Sequence, residues 1–282
     1  MTILVTGARG NVGRRVLARL HAAGRPVRAS SRTPGELDAP AGVDVVPLDL
    51  NRPETFDAAL DGVDQAFLYA EPDGAKELFA AAARAGVRHA VLLSSSTVGG
   101  PGAATDPLGQ FHAAVEESLA ASALSATVLR PGAFAGNAYG WSAAIRGGQP
   151  VRLPYARAHT VPVHEDDIAD VAVAALGDPA VAGRILTLSG PESLSFTEQI
   201  GVLADLLGRE IPVHELTREE AVEEMGRFMP PLVLASLLGH WAAAVDRPAR
   251  IEDTVERITG RPARTFRQWA EEHLGAFTPA GG

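Results

Sequence analysis

The sequence predicts an α/β protein in which a doubly wound parallel sheet is joined to a smaller and mostly helical C-terminal region. Short runs of Val, Leu and Ile alternate with amphipathic segments, and the runs are apolar on both faces. Such strands are typical of parallel sheets, because helices cover both faces of the sheet. Right-handed crossovers bring the carboxyl ends of all strands to one edge, where a ligand binds.

The first two thirds of the chain contain this alternation. The predicted strands are residues 3–6, 27–30, 43–48, 65–70, 89–94 and 126–130. The amphipathic segments between them, which predict helices, include residues 11–24, 53–62 and 74–86. Strands and helices that alternate at this spacing predict βαβ units.

After about residue 150 the alternation loosens. The later predicted elements are a helix over 164–178, a strand over 184–190, a helix over 195–208, a strand over 211–216 and a mostly helical segment over 217–275. The helix at 195 begins with a capping box of Ser195 and Glu198. We therefore assign residues 1–150 to the first domain, with 164–190 returning to it, and residues 191–282 to a smaller region.

Composition excludes several classes of protein. The net charge is −9 without a basic stripe, which disfavours a nucleic-acid partner. The chain has no cysteine, and its histidines form no HxxxH or HExxH group, so we expect no metal site. No apolar run approaches the ~20 residues that span a bilayer, and no signal peptide is evident. We expect a cytoplasmic protein without a membrane partner.

Three glycines, Gly7, Gly10 and Gly13, follow the first predicted strand in the sequence TGARGNVG. At a strand-to-helix junction, such glycines permit a tight turn, close approach of the backbone to a pyrophosphate, and close packing of helix on sheet. The helix N-terminus adds free N–H groups and a partial positive charge. An ordinary glycine-rich turn is the alternative. The pattern favours a Rossmann-type dinucleotide-binding site.

The end of the second strand selects the dinucleotide. An NAD-dependent enzyme places Asp or Glu there to accept a hydrogen bond from the ribose 2′-hydroxyl. This chain instead has Ser30, Ser31 and Arg32, and Arg9 in the glycine turn could flank the same position. A guanidinium with neighbouring hydroxyls suits a 2′-phosphate, so NADP(H) is favoured unless Arg32 is only a solvated loop charge. Asp49 and Leu50 would border the adenine, or Asp49 would simply cap a helix.

The fifth strand is followed by Ser94, Ser95 and Ser96, where a nicotinamide would lie. In short-chain dehydrogenases, a serine at this position helps a tyrosine from a helical YxxxK motif to donate its proton. Here Leu108 stands in the place of the tyrosine and His112 in that of the lysine. A standard alcohol dehydrogenase is therefore not expected. His112 could donate to the ribose or transfer a proton, with Ser95 and Ser96 beside it, or it could be a surface histidine.

The whole pattern resembles the NmrA-like atypical short-chain dehydrogenases, a family that includes bacterial NAD(P)H:quinone oxidoreductases and NADPH-sensing regulators. The resemblance covers nearly the entire chain. It rests on the stretches TGARGNVG, VRASSRTP, DLNRPETF, FHAAVEESLAAS, TVLRPGAFAGN, HTVPVHEDDIADVAVAAL, ILTLSGPESLSFTEQIGVLADLLGR and TVERITGRPARTFRQWAEEH.

The resemblance implies a role for particular residues. Arg32 would bind the 2′-phosphate, Leu68 and Tyr69 would border the adenine-side ribose, and His112 would bind the nicotinamide ribose. The pyrophosphate would be wrapped by Thr6, Gly7, Arg9, Gly10, Asn11 and Val12. Pro131, Gly132 and Phe134 would pass behind the nicotinamide ring. The substrate would contact Phe134, Asn137, Tyr139, Trp141 and His164, unless these side chains only pack in the core or a lid.

Three functions fit these residues. The first is NADPH-dependent hydride transfer to a quinone or another conjugated carbonyl compound, which does not need an obligatory tyrosine acid. The second is a redox sensor that binds NADP(H) without turnover and signals to a protein partner. The third is a reductase or isomerase that tailors a natural product. The sequence leaves open whether the chain forms a homodimer.

Overall fold

A computed structural model gives the structure of the protein and describes residues 1–100 and 102–279. The chain forms two compact units. The first unit contains Met1–Pro131, Glu165–Leu188 and Thr254–Arg261. The second contains Gly132–His164, Ser189–Asp253 and the chain from Pro262 onward. Residues 132–150, which we assigned to the first domain from the sequence, thus pack within the second unit.

Strands and helices are numbered along the whole chain. The strands are β1 Thr2–Val5, β2 Val27–Ser31, β3 Asp44–Pro47, β4 Val63–Tyr69, β5 His89–Leu93, β6 Ala126–Pro131, β7 Val151–Pro154, β8 His159–Thr160, β9 Ile185–Leu188, β10 Leu194–Ser195 and β11 Val213–Leu216. The α-helices are α1 Gly13–Ala22, α2 Phe56–Leu60, α3 Ala75–Arg84, α4 Pro107–Ala120, α5 Ser142–Arg146, α6 Glu165–Gly177, α7 Phe196–Leu207, α8 Arg218–Met225, α9 Pro231–Ala243, α10 Thr254–Thr259 and α11 Phe266–Glu272.

The first unit is built on a parallel sheet of Rossmann type. Among the described residues, seven strands form it in the order β3-β2-β1-β4-β5-β6-β9. Every neighbouring pair is parallel. All carboxyl ends therefore lie at one edge, and the strand order reverses between β1 and β4, where doubly wound sheets bind ligands. The predicted fold class is confirmed.

Helix α1 packs beside α6 in this unit, and ion pairs join the two helices. Arg15 Nε lies 3.0 Å from Asp166 Oδ1, and Arg19 Nε lies 2.6 Å from Asp170 Oδ1. The sequence predicted this second helix over 164–178 but not its partner, and its first turn contains the acidic run Glu165, Asp166 and Asp167. The structure adds that one acid of the run, Asp166, holds the helix that follows the glycine turn.

The second unit has its own core. Trp269, Phe266 and Phe277 of α11 and the chain after it are buried against α7, together with Leu203 and Ile200. The predicted capping box of α7 is present: the Ser195 side chain accepts from the Glu198 N–H, and the Glu198 side chain accepts from the Ser195 N–H. Strands β7 and β11 form a parallel pair, and β8 and β10 an antiparallel pair. No described helix is long and apolar enough to cross a membrane.

Gly13→Ala tests the packing of α1 on the sheet. An added Cβ would lie 2.2 Å from the Gly7 carbonyl oxygen, so the helix start has to shift. We expect the free energy of unfolding to fall by about 1–3 kcal/mol, measured by urea denaturation. Gly201→Ala is the matched control, because an added Cβ there meets nothing within 4 Å. It lies inside α7, and we expect a gain of about 0.5–1 kcal/mol. Equal effects of the two substitutions would contradict the prediction.

Candidate dinucleotide-binding site

A cleft of about 790 Å³ opens in the first unit at the carboxyl ends of β1, β2, β3 and β4. It lies at the edge of the sheet where the strand order reverses. The cleft is lined by Thr6, Gly7, Ala8, Arg9, Ser30, Ser31, Arg32, Thr33, Glu36, Leu48, Asp49, Leu50, Asn51, Tyr69, Glu71, Asp73 and Leu78.

The glycine turn forms one wall of the cleft. Gly7 has a φ of +61°, in the left-handed region that glycine adopts at little cost. The Gly10 N–H donates to the Gly7 carbonyl at 2.8 Å and closes the turn. Gly13 then packs so closely on Gly7 that any side chain would collide with its carbonyl. The turn brings the start of α1 directly to the end of β1.

The N-terminus of α1 has open hydrogen-bond donors. Val12 occupies the N-cap position, where it provides no side-chain hydrogen bond, and the first turn of α1 contains no acidic residue. The first N–H groups of a helix have no partner within the helix, and the helix dipole makes this end partly positive. The Gly10 N–H is used to close the turn, so the N–H groups of Asn11, Val12 and Gly13 are the main-chain donors that fit a pyrophosphate.

Thr6 positions the neighbouring wall. Its buried hydroxyl donates to the Phe67 carbonyl at 3.2 Å and accepts from the Tyr69 N–H at 2.8 Å, so it joins the ends of β1 and β4. Tyr69 is 57% exposed and lines the cleft. Leu68 is only 1% exposed and packs in the core. Because side chains alternate along a strand, only the main chain of Leu68 is available to a ribose.

Arg32 is exposed at the end of β2 and lines the cleft. Within the described residues, its guanidinium makes no hydrogen bond and no ion pair. Ser31 lies beside it, and its hydroxyl accepts from the Thr33 N–H at 3.1 Å. A free guanidinium at this position fits a 2′-phosphate.

Arg9, which also lines the cleft, is already paired. Its Nη1 donates to Thr33 Oγ1 at 2.9 Å and to Glu36 Oε2 at 3.1 Å. Glu36 was not among the residues that the sequence predicted for this part of the site. The spacing of Thr33 and Glu36 in TPGE matches the S/T-x-x-E pattern, which was the signal for a turn that folds the carboxylate back.

Asp49 and Leu50 lie on the opposite side of β2, beyond the end of β3. Both line the cleft. The Asp49 carboxylate accepts from the Asn51 N–H at 3.1 Å, so it also holds its own turn. The Leu50 carbonyl lies against Gly74, where an added Cβ would be 2.1 Å away. Their proposed place beside the adenine is compatible with this geometry.

A buried ion pair lies at the carboxyl ends of β5 and β6. Arg130 donates to Glu116 through Nε at 3.0 Å and through Nη2 at 2.6 Å. The Ser94 hydroxyl donates to the same carboxylate at 2.5 Å. The side chains of Arg130 and Glu116 are 19% and 10% exposed. This network fixes α4, which contains Glu116, to both strands. Arg130 was not among the site residues that the sequence predicted.

The three serines after β5 have different environments. Ser94 is bonded to Glu116, as described. The Ser95 hydroxyl oxygen accepts from the Thr97 N–H at 3.3 Å and from the Thr97 hydroxyl at 3.0 Å, and it caps the short 3-10 helix Ser96–Gly99. Ser96 is half-buried, and its hydroxyl makes no hydrogen bond within residues 1–100 and 102–279. Among the described residues, the Ser96 hydroxyl thus has neither its donor nor its acceptor engaged, whereas the Ser95 hydroxyl only accepts.

His112 lies on α4, one turn before Glu116. Its Nδ1 is buried and has no hydrogen-bond partner among the described residues. Burial lowers the pKa of His112 below its ordinary value of 6.5, although the charge of Glu116 opposes this shift. The imidazole is therefore neutral at pH 7. A neutral imidazole can donate one hydrogen bond and accept another, which suits both predicted roles of His112, a bond to a ribose hydroxyl and the transfer of a proton.

The predicted substrate residues all belong to the second unit. Gly132 and Phe134 lie on an extended segment, where the flanking Ala133 and Ala135 exchange main-chain hydrogen bonds with Val163. The 3-10 helix Ala135–Trp141 follows.

The side chains on this 3-10 helix have different surroundings. Asn137 is exposed. Tyr139 packs edge-on against Trp269, with 5.0 Å between ring centroids, and Trp141 packs against Phe196. Trp141 therefore packs against the core of the unit, whereas Tyr139 covers Trp269 with one edge and is 38% exposed.

His164 is fully buried in the same unit. Its Nε2 lies 3.3 Å from Glu272 Oε2 of α11, and its ring lies 6.2 Å from that of His273. The sequence suggested a substrate contact for His164. Its burial and its acidic neighbour indicate that it also holds α11 in place.

Comparison with known proteins identifies close relatives. The model of an NAD(P)H-binding family matches residues 7–179. The chain is 40% identical to a (4-alkanoyl-5-oxo-2,5-dihydrofuran-3-yl)methyl phosphate reductase of Streptomyces griseus, over 98% of this chain and 99% of the relative. It is 33% identical to an NAD(P)H azoreductase of Xenophilus azovorans, over 99% of this chain and 100% of the relative.

Among solved structures, the NADPH-dependent quinone oxidoreductase of Escherichia coli in complex with NADPH has the same fold. It superposes with a TM-score of 0.83 over 97% of this chain and 100% of that chain, at 21% identity.

Glu116→Gln tests the buried ion pair. The substitution leaves the Arg130 charge largely buried without a countercharge, so we expect the free energy of unfolding to fall by about 2–3 kcal/mol in urea denaturation. Glu223→Gln is the control, since Glu223 forms an exposed pair with Arg227 at 3.2 Å. We expect that change to cost less than about 0.5 kcal/mol. Two equally small effects would show that the Glu116 pair does not hold α4.

Proposed function

Since the chain belongs to the NmrA-like, NAD(P)H-binding family of atypical short-chain dehydrogenases and is an NAD(P)H-dependent oxidoreductase, we propose that it uses NADPH to reduce a conjugated carbonyl compound. The observation that carries the coenzyme part is Arg32, whose guanidinium is exposed in the cleft and unpaired within the described residues. The observation that carries the acceptor part is the replacement of the tyrosine and lysine by Leu108 and His112 on α4.

The cleft in the first unit would hold the coenzyme along its length. The open N–H groups at the start of α1 would bind the pyrophosphate, and Arg32 with Ser31 would bind the 2′-phosphate. Tyr69, Asp49 and Leu50 would border the adenosine. Bound NADPH supplies the hydride.

His112 and Ser96 would bind the nicotinamide end of the coenzyme. The His112 Nδ1 and the Ser96 hydroxyl have no hydrogen-bond partner among the described residues. Ser96 comes directly after β5, and His112 lies on α4, the next α-helix along the chain. The Glu116–Arg130 pair would hold α4 so that His112 is positioned before the coenzyme arrives. A positioned, neutral imidazole can donate one hydrogen bond to a ribose hydroxyl.

The acceptor that fits such a site does not depend on a strong proton donor. In a conjugated carbonyl compound, the charge that develops during reduction spreads over the acceptor, and water can supply the proton afterwards. The Streptomyces griseus relative is named for a dihydrofuranone that bears both a ring carbonyl and an alkanoyl carbonyl. We propose an acceptor of this class, an acylated butenolide phosphate, ahead of quinones and azo compounds.

A panel of acceptors tests the function. Purified protein is mixed with NADPH and an acylated butenolide phosphate, a naphthoquinone or an azo dye, and the loss of NADPH absorbance is followed. We expect the highest kcat/KM with the butenolide. The same compound with a saturated ring is the control, because it offers no conjugated double bond. Tight binding of NADPH without turnover on any acceptor would contradict the proposal and favour a redox sensor.

Arg32→Ala tests the coenzyme preference. The loss of a charge-assisted hydrogen bond to the 2′-phosphate should raise the Kd for NADPH by roughly tenfold to a hundredfold and leave that for NADH nearly unchanged. Calorimetric titration measures both constants. Arg84→Ala is the matched control, since Arg84 is an exposed arginine of α3 outside the cleft. An unchanged ratio of the two constants in Arg32→Ala would remove Arg32 from the coenzyme site.

A further inference from the structure

A carboxylate lies in the part of the cleft that the sequence assigned to a 2′-phosphate. Glu36 lines the cleft together with Ser31, Arg32 and Thr33. Glu36 lies in the turn after β2, beyond the strand end where NAD-dependent enzymes place an acid, but this turn brings its carboxylate to the same part of the cleft. The chain therefore holds both an arginine and an acid at this end of the coenzyme site.

The position of Glu36 is fixed by its turn. Pro34 begins a single turn of 3-10 helix that ends at Glu36, and the Glu36 N–H donates to the Thr33 carbonyl at 3.1 Å. The Thr33 hydroxyl donates to Glu36 Oε2 at 3.0 Å. Both the main chain and the side chain of Glu36 are thus hydrogen-bonded to Thr33. The carboxylate is therefore in place before any ligand binds.

Arg9, in the glycine turn, is hydrogen-bonded to both Thr33 and Glu36. Its Nη1 contacts both Thr33 Oγ1 and Glu36 Oε2, so that the three side chains are mutually hydrogen-bonded. All three are exposed, so the pairing is weak enough for a ligand to rearrange it. An arginine held by a carboxylate in this way is only partly available to a phosphate, whereas Arg32 is fully available.

Acidic residues outnumber basic residues in the lining of the whole cleft. Its lining includes two arginines, Arg9 and Arg32, and four acids, Glu36, Asp49, Glu71 and Asp73. A site specialised for a 2′-phosphate gains nothing from an acidic excess, because like charges repel the phosphate.

We propose that Glu36 is a specificity-determining residue that lowers the affinity for NADPH and maintains that for NADH, so that the protein uses both coenzymes. The proposal rests on the coenzyme role of this cleft. With NADH, the Glu36 carboxylate accepts a hydrogen bond from the ribose 2′-hydroxyl. With NADPH, Glu36 repels the 2′-phosphate and competes with it for Arg9.

Glu36→Gln tests the proposal by binding alone, without an acceptor. Calorimetric titration gives the Kd values of NADPH and NADH for the full-length protein. We expect the ratio Kd(NADH)/Kd(NADPH) to rise about fivefold at low salt, the size of one exposed charge pair, and less at high salt. In the background of Arg9→Gln, the gain in NADPH affinity should become smaller, because the competition for Arg9 is removed and only the direct repulsion of the 2′-phosphate by Glu36 remains.

Glu54→Gln is the matched control. Glu54 also lies in a 3-10 turn that begins with proline, after the next strand, and its Oε1 pairs with Arg52 Nε at 2.9 Å, but it does not line the cleft. The ratio Kd(NADH)/Kd(NADPH) of the Glu54→Gln variant should equal that of the wild-type protein. If both coenzymes bind and Glu36→Gln leaves the ratio at the wild-type value, the role of Glu36 is overturned. If neither coenzyme binds the wild-type protein, the proposed function itself fails.

Discussion

The contact between Gly13 and the main chain of Gly7 is the constraint on which the coenzyme site depends. With no side chain at Gly13, α1 begins directly beside the end of β1, next to the glycine turn whose residues Gly7, Ala8 and Arg9 line the cleft. The ion pairs of Arg15 and Arg19 with α6 then hold the helix in that orientation. Anion binding at this edge is thus a property of main-chain geometry, and side chains only refine it.

Side chains determine which dinucleotide the cleft prefers. Arg32 and Arg9 have the same chemistry but different freedom, because Arg9 is hydrogen-bonded to Thr33 and Glu36. In an exposed cleft each such charge contributes little, so coenzyme preference is a balance of small terms of opposite sign. A family that binds NAD(P)H can shift that balance with one loop residue and keep the fold unchanged.

The other end of the site shows how a catalytic helix is retained after its catalytic pair is lost. Helix α4 has Leu108 and His112 in place of tyrosine and lysine, yet Glu116 still fixes it to β5 and β6 through Ser94 and Arg130. The helix is therefore held at the ends of β5 and β6 although it lacks the tyrosine acid. This combination suits acceptors whose own conjugation stabilises the developing charge.

The sequence by itself determined the sheet, the glycine turn and the capping box of Ser195 and Glu198, because these features depend on local periodicity and on residues a few positions apart. It missed the two-residue strands β8 and β10, which are too short for a periodic signal, and the four-residue strand β7. Only the tertiary structure decided that Glu36 folds back onto Arg9, that Arg130 pairs with Glu116, and that the side chain of Leu68 lies in the core. The pairs Glu36–Arg9 and Arg130–Glu116 join residues that are distant in the chain, so no local pattern names the partner, although TPGE signals the turn at Glu36. Strand alternation places the side chains of Leu68 and Tyr69 on opposite faces, but only the packed sheet decides which of the two lies in the core.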